Sequence, residues 1–242
     1  MERVHIVLVE TTHPGNIGAC ARAMKTMGIS SLRLVSPRQF PSAEVTARAA
    51  GADDILARAQ VHESLGAAVA DCGLVLATSA RERSIPWPES DAESAAARVA
   101  SSTRSGVNTA IVFGRESSGL SNDELELCHG MIRIPTVAGF SSLNIASAAQ
   151  IICYELHKLL ADHGPSPEDA RDEPASATQM EQFYAHLEQC LVDIGFHDPE
   201  KPRRLMRRLR RLFNRAQPDT NEYNILRGIL AAIRERTRHH RD

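Results

Sequence analysis

The sequence predicts an α/β fold built on a mostly parallel sheet and followed by a small all-α extension at the C-terminal end. Short apolar runs alternate with helix-like segments through the first two thirds of the chain, the pattern of strands buried on both faces beneath crossover helices. After residue 178 the runs stop and three segments with helical spacing follow. The charge changes at the same place. Residues 1 to 178 carry 15 basic against 21 acidic side chains and residues 179 to 242 carry 13 against 9, so a basic segment is appended to an acidic one.

The predicted strands are VHIVLV (4 to 9), LRLV (32 to 35), LVLAT (74 to 78), TAIVFG (109 to 114) and MIRIP (131 to 135). Between them NIGACARAMKTMG (16 to 28) and SLGAAVADCG (64 to 73) each end at a capping glycine. In SNDELELCHG (121 to 130), Ser121 precedes Glu124 by three positions, the spacing of a capping box. The segment SLNIASAAQIICYELHKLL (142 to 160) is apolar over much of its surface, which calls for a buried helix. DHGPSPEDARDEPASAT (162 to 178) has no apolar periodicity and reads as an exposed linker. The chain thus divides into an α/β domain over 1–161, a linker over 162–178 and a helical extension over 179–242.

A length of 242 residues, 43% apolar and 24% charged, is that of an ordinary soluble chain. Five widely spaced cysteines without a C-x-x-C pair argue for reduced thiols and against zinc or a disulfide framework. His5 and His129 are scattered, so no metal is expected. No apolar stretch approaches the ~20 residues of a membrane span, and no signal-like segment precedes the first strand. The expectation is a cytoplasmic protein without a membrane partner.

A parallel sheet offers ligand sites at the carboxyl ends of its strands. The segment after the first strand, ETTHPGNIGACAR, lacks G-x-G-x-x-G, and no G-x-x-x-x-G-K-[ST] occurs, which argues against dinucleotide and P-loop sites. Polar clusters stand there instead. Asn16 and Arg22 follow the first strand, Gly114 to Gly119 the fourth, and Ser141, Ser142 and Asn144 the fifth. Each cluster alone is explained by a cap or a turn. Together they bring three loops to one edge of the sheet.

The stretches N-I-G-A-C-A-R (16 to 22), F-G-R-E-S-S-G-L (113 to 120) and I-P-x-x-x-x-x-S-S-L-N-x-x-x-A (134 to 148) resemble the three motifs of the SPOUT superfamily of RNA methyltransferases, in its TrmH-type 2'-O-ribose branch. The resemblance spans roughly residues 3 to 160 in the expected order. TSARERSIPWP (78 to 88), LRRLFNRA and NILRGIL are similar to the subgroup of that branch that methylates the ribose of nucleotide 32 in the tRNA anticodon loop. A SPOUT fold with a C-terminal trefoil knot is implied, against the ordinary rarity of knots. Also implied are S-adenosyl-L-methionine bound in a bent form within the knot, tRNA as substrate, and a homodimer whose active site uses both subunits.

On this resemblance, Thr78, Ser79, Ala80, Gly114, Ile134, Ser141, Ser142 and Leu143 hold the cofactor, with Gly114 letting it approach the backbone. Arg22 lies beside the ribose. An arginine stays protonated and is a poor base, so it is read as a donor that stabilises negative charge on the oxygen. Asn16, Ser142 and Asn144 stand behind it. Glu116 either orders its loop through an arginine or accepts the proton, and both readings remain open. Arg115 contacts phosphate or the loop.

PRRLMRRLRRLFNRA places Leu205, Leu209, Leu212 and Phe213 on one helical face and most of its arginines on others. Arg203, Arg204, Arg207, Arg208 and Arg211 are the candidate RNA contacts there, since arginine suits phosphate better than lysine does. Trp87, between two prolines, reads as packing at a turn. Two alternatives stay open: methylation of another tRNA position or of ribosomal RNA, and an RNA-binding protein without catalysis.

Overall fold

The computed structural model describes residues 2–79, 87–137, 142–160, 173–201 and 204–239. Seven parallel strands form one sheet: β1 (Val4–Val9), β2 (Ser31–Val35), β3 (Gln60–His62), β4 (Leu74–Thr78), β5 (Glu89–Ser90), β6 (Thr109–Phe113) and β7 (Gly130–Ile132), in the order β3-β2-β1-β6-β4-β7-β5. The central strands β1 and β6 are buried along their whole length, as continuous Val and Ile runs require.

Alternation of side chains along β1 divides the core into two layers. Val4, Ile6 and Leu8 face α1 (Pro14–Thr26), α5 (Ala92–Arg104) and α7 (Ile145–Leu160). Val7 and Val9 face α4 (Leu65–Val69) and α6 (Asn122–Glu126). Two short helices, α2 (Ala43–Ala49) and α3 (Asp53–Ala57), cover the outer side of α1. The capping box of α6 is closed in both directions: Ser121 N–H donates to Glu124 Oε2 at 2.7 Å and Glu124 N–H to Ser121 Oγ at 3.2 Å.

A third core, comprising Ala175, Met180, Phe183, Tyr184, Cys190, Tyr223 and Leu230, belongs to α8 (Ala177–Asp193), α9 (Leu205–Ala216) and α10 (Thr220–His239) and the turn before them. Phe213 of α9 meets Phe183 edge-on at 4.8 Å. Residues 173–178 differ from the exposed linker expected there. Ala175 is 2% exposed, Ala175 N–H donates to Pro218 O and Ala177 N–H to Cys72 O. Small side chains let this stretch lie against the sheet domain, and Ser176 with Gln179 closes a capping box that starts α8. The remainder of that stretch, 162–172, lies outside the described residues.

All five cysteines are free and buried, and burial pushes the Cys72 and Cys153 thiols up to about 12. Among the described residues no helix is long and apolar enough to cross a membrane.

Candidate active site

The three polar loops meet at the carboxyl end of the sheet, and Glu116 is the point where they join. Pro14 at the first helical position starts α1 early, so Asn16 lies inside the helix and its side chain is free to reach across rather than cap. Asn16 Nδ2 donates to Glu116 Oε1 at 3.0 Å, and Asn144 Nδ2 donates to Asn16 Oδ1 at 3.0 Å. Asn144 Oδ1 accepts the Ala146 N–H at 2.8 Å, tying the chain of amides to the first turn of α7. The backbone amides of Thr12 and His13 and the Thr12 hydroxyl also donate to Glu116.

Glu116 is therefore a carboxylate solvated by neutral donors. Burial by itself would raise its pKa; the hydrogen bonds from Asn16, Thr12 and His13 outweigh burial and hold it down, to about 2. A carboxylate of that acidity with its lone pairs engaged is a poor proton acceptor. Its hydrogen-bonded partners among the described residues are amides and a hydroxyl, where the loop-ordering role expected an arginine.

The arginine of the same loop is held from outside. Arg115 donates through Nη1 and Nη2 to Glu124 at 2.9 and 3.0 Å, and through Nε to Glu10 at 2.9 Å with a second, shorter bond from Nη2. A guanidinium clamped by two carboxylates is a loop clasp, the loop contact of the two placements expected for Arg115 rather than the phosphate contact. Gly114 has a reason within the loop as well. A Cβ there would sit 2.4 Å from the carbonyl carbon of Gly119 and 2.5 Å from the Leu120 nitrogen, so glycine is needed for the loop to close on itself through the Arg115–Gly119 bridge.

Beside this network lies a cavity of about 360 Å3. Of the expected cofactor contacts, Thr78, Ser79, Gly114, Ile134, Ser142 and Leu143 line it; Ala80 and Ser141 lie outside the described residues. Of the expected catalytic residues, Glu116, Ser142 and Asn144 line it and Asn16 is one hydrogen bond behind. Arg22 does not. It is exposed on α1, outside the lining of this cavity. Sequence reasoning missed Phe113, Ile132 and Ile145 in the wall, and the Thr12 amide; the strand ends at 113 and 132 were the available signal.

An adenosyl ligand with a thioether-like arm fits this lining. The volume is in the ~300–1,000 Å3 range of small-molecule sites, Phe113, Ile132, Ile134 and Ile145 supply apolar walls, and the one carboxylate is already saturated with donors.

Arg204, at the N-cap of α9, and Arg208 within it are exposed, and Arg211 is half-buried; Arg203 lies outside the described residues. Arg207 turns the other way, toward α6, with Nε 2.8 Å from Glu126 and Nη2 3.4 Å from Asp123. Arg210 pairs with Glu181 and stacks over Tyr184 at 4.4 Å. Leu212 is 46% exposed, off the buried face where the spacing puts it. Among the described residues, His5, Asp71 and Cys72 alone have metal-ligand spacing. They lie away from this cavity, and the Arg33 guanidinium already bonds all three.

Residues 3–154 match the SpoU rRNA Methylase family, and residues 178–242 match the tRNA methyltransferase TrmJ C-terminal domain. The chain is 47% identical to the tRNA (cytidine/uridine/adenosine-2'-O-)-methyltransferase TrmJ of Pseudomonas aeruginosa, over 95% of its own length and 93% of that protein. It is 44% identical to the tRNA (cytidine/uridine-2'-O-)-methyltransferase TrmJ of Citrobacter koseri, over 98% and 99% of the two chains. The crystal structure of TrmJ from Z. mobilis matches with a TM-score of 0.81 at 34% identity, covering 95% of this chain and 98% of that one. With both halves of the chain matched in order and relatives this similar along its full length, it belongs to the SpoU methylase family, in the TrmJ group of tRNA 2'-O-methyltransferases.

Proposed function

We propose that the chain transfers the methyl group of S-adenosylmethionine to a ribose 2'-hydroxyl of tRNA, at the pyrimidine nucleotide 32 of the anticodon loop. The observation that carries this is the Glu116–Asn16–Asn144 network, which locks three sequence-distant loops around a cavity of suitable size. When bound, S-adenosylmethionine supplies an electrophilic methyl group on sulfur. The residues of the chain align that group with the hydroxyl and shield it from water, and such alignment is worth about 7–11 kcal/mol of the barrier. Phe113, Ile132, Ile134 and Leu143 form the dry wall, and Ser79 and Ser142 supply hydroxyls at its polar side.

Arg22 donates to the 2'-oxygen as its negative charge grows. Its exposed place on α1, outside the lining of the cavity, supports a homodimer in which Arg22 of the partner subunit serves this cavity. Neither Arg22 nor Glu116 takes the proton; it passes to water or to a substrate phosphate. The knotted path of the chain from β6 to α7 is part of the same proposal, as is the division into a catalytic domain, a linker and an RNA-binding extension. On that extension Arg208, Arg211 and Arg215 stand at intervals of three and four residues, one stripe along α9 with Arg204 just before its first turn, and their role is to meet phosphates. Replacing any one of these arginines by alanine should flatten the log-log salt dependence of tRNA binding by about 0.9.

The test is mass-spectrometric mapping of 2'-O-methyl groups on tRNA incubated with the protein and S-adenosylmethionine. A mark at nucleotide 32 is expected; a mark elsewhere overturns the assignment of position, and no transfer overturns the enzyme. For the shared site, Arg22→Ala and Glu116→Ala chains, each strongly impaired alone, should regain activity when mixed. Failure to complement would place Arg22 and Glu116 in the same subunit's site.

A further inference from the structure

Helix α9 has two working faces. On the flank of its arginine stripe, Asn214 is only 4% exposed. Its Nδ2 donates to the carbonyl oxygens of Glu126 at 2.9 Å and Cys128 at 3.1 Å, and its Oδ1 accepts from the Tyr184 hydroxyl. Those two carbonyls end α6 and lead into β7, whose Ile132 lines the cavity. The His129 amide, next in the chain, donates to Val75 O at 2.8 Å and fixes the turn to β4. At the other end of α6, Glu124 holds Arg115, which is also in the cavity wall. Arg207 reinforces the docking through Glu126.

We propose that α9 couples tRNA binding to cofactor binding, with Asn214 as the positioning residue that links them. The inference rests on the function proposed above, with tRNA on the arginine stripe and the methyl donor in the cavity. Carbonyls at a helix end lack intrahelical partners, so the Asn214 amide is what satisfies the buried pair at the α6–β7 turn. The position of α9 therefore sets the position of the turn. Phosphates that fix α9 from its outer face fix the cavity wall from behind. The coupling is reciprocal, so each ligand tightens the other by the same factor.

The measurement is the dissociation constant of S-adenosylhomocysteine, which cannot transfer methyl, taken on the full chain by calorimetry with and without saturating unmodified tRNA transcript. The expected tightening by tRNA is about 5-fold or more. Asn214→Leu should bring that ratio below about 2, while Tyr184→Phe, which removes a hydrogen bond of the same network but leaves the two carbonyls satisfied, should keep it. A ratio of one in the unaltered chain, or an unchanged ratio in Asn214→Leu, overturns the coupling. Absence of binding of either ligand alone overturns the proposed function instead. If Asn214→Leu does not fold, hydrogen exchange of the unaltered chain decides. Slower exchange at His129, Met131 and Arg133 on adding tRNA supports the link, and unchanged exchange sinks it.

Discussion

The two ends of the sheet each hold a charged residue in a polar network, and they do so by opposite means. At the carboxyl end, Glu116 is an anion surrounded by neutral donors from Thr12, His13 and Asn16. Near the amino end, Arg33 is a cation with an anion: it donates to Asp71 at 2.6 and 2.9 Å, to Ala68 O at 2.6 Å, and contacts His5. The Arg33 pair joins neighbouring strands and the helix over them, a local repair for a charge buried beneath α4. The Glu116 network joins segments about a hundred residues apart and leaves a cavity beside them.

The largest effect should come from cutting the carboxyl-end network. Glu116→Ala removes the acceptor that ties Thr12, His13 and Asn16 to its own loop and, through Asn16, to Asn144, and misplacement by about 1 Å is enough to cost on the order of 100-fold in turnover. Single-turnover methylation under saturating tRNA and S-adenosylmethionine checks it. A variant within a few-fold of the unaltered chain would mean that the loops hold their places without Glu116. Asn144→Ala, which keeps Glu116 but frees the first turn of α7, should fall between the two.

At the amino end the same kind of cut should show in stability and leave turnover alone. Asp71→Asn strands Arg33, whose side chain is 8% exposed. Breaking a fully buried pair costs about 3–5 kcal/mol, but Asp71 is half-exposed and water can replace it, so about 1–2 kcal/mol is expected here. For a chain of this size that lowers the melting temperature by a few degrees. Turnover per folded molecule should stay within about 2-fold, since no Arg33 contact reaches the cavity. An equal loss of turnover would show that the two ends are not independent.

Much of this was legible beforehand because it is local. The runs 4–9 and 74–78 are strands to the residue, and Gly28 ends α1 with φ of 75° as a capping glycine does. The run 131–135 overshoots, since β7 ends at Ile132 and the chain then leaves the sheet. β3 and β5 went unseen because edge strands of two or three residues are too short to show periodicity, and the alanine-rich α5 was not singled out. The convergence of three loops was also readable. What holds Glu116 was not, because backbone amides leave no mark in a sequence and their spacing from Glu116 is over a hundred residues. The faces of α9 were hidden for a similar reason. Spacing sorts leucines from arginines, but it cannot show that Asp123 and Glu126 lie under Arg207.

The smallest expected effect separates the two ends by pH. Glu116 has an ordinary pKa of 4.5 and is held at about 2 in the fold, so the unfolded chain takes up its proton first. Its contribution to stability is fully present above pH 4.5 and is lost as pH falls from there through about 2. Asp71, lowered from 3.8 by the Arg33 hydrogen bonds despite its burial, acts with the same sign but begins to act only below pH 3.8. Buried His5 and His129 are both held at about 4, chiefly by loss of solvent, and so weaken the fold over a higher window, as pH falls from 6.5 to 4. Melting temperature against pH should therefore fall in two stages. Glu116→Gln should flatten the acid limb starting near pH 4.5, Asp71→Asn should flatten it only at lower pH, and neither should alter the slope between pH 6.5 and 5. Because both carboxylates are partly open to water, the change in limb should amount to a few degrees at most. A Glu116→Gln chain whose turnover acquires or loses an inflection between pH 6 and 9 would contradict the fold-state value of about 2 and make Glu116 a proton acceptor after all.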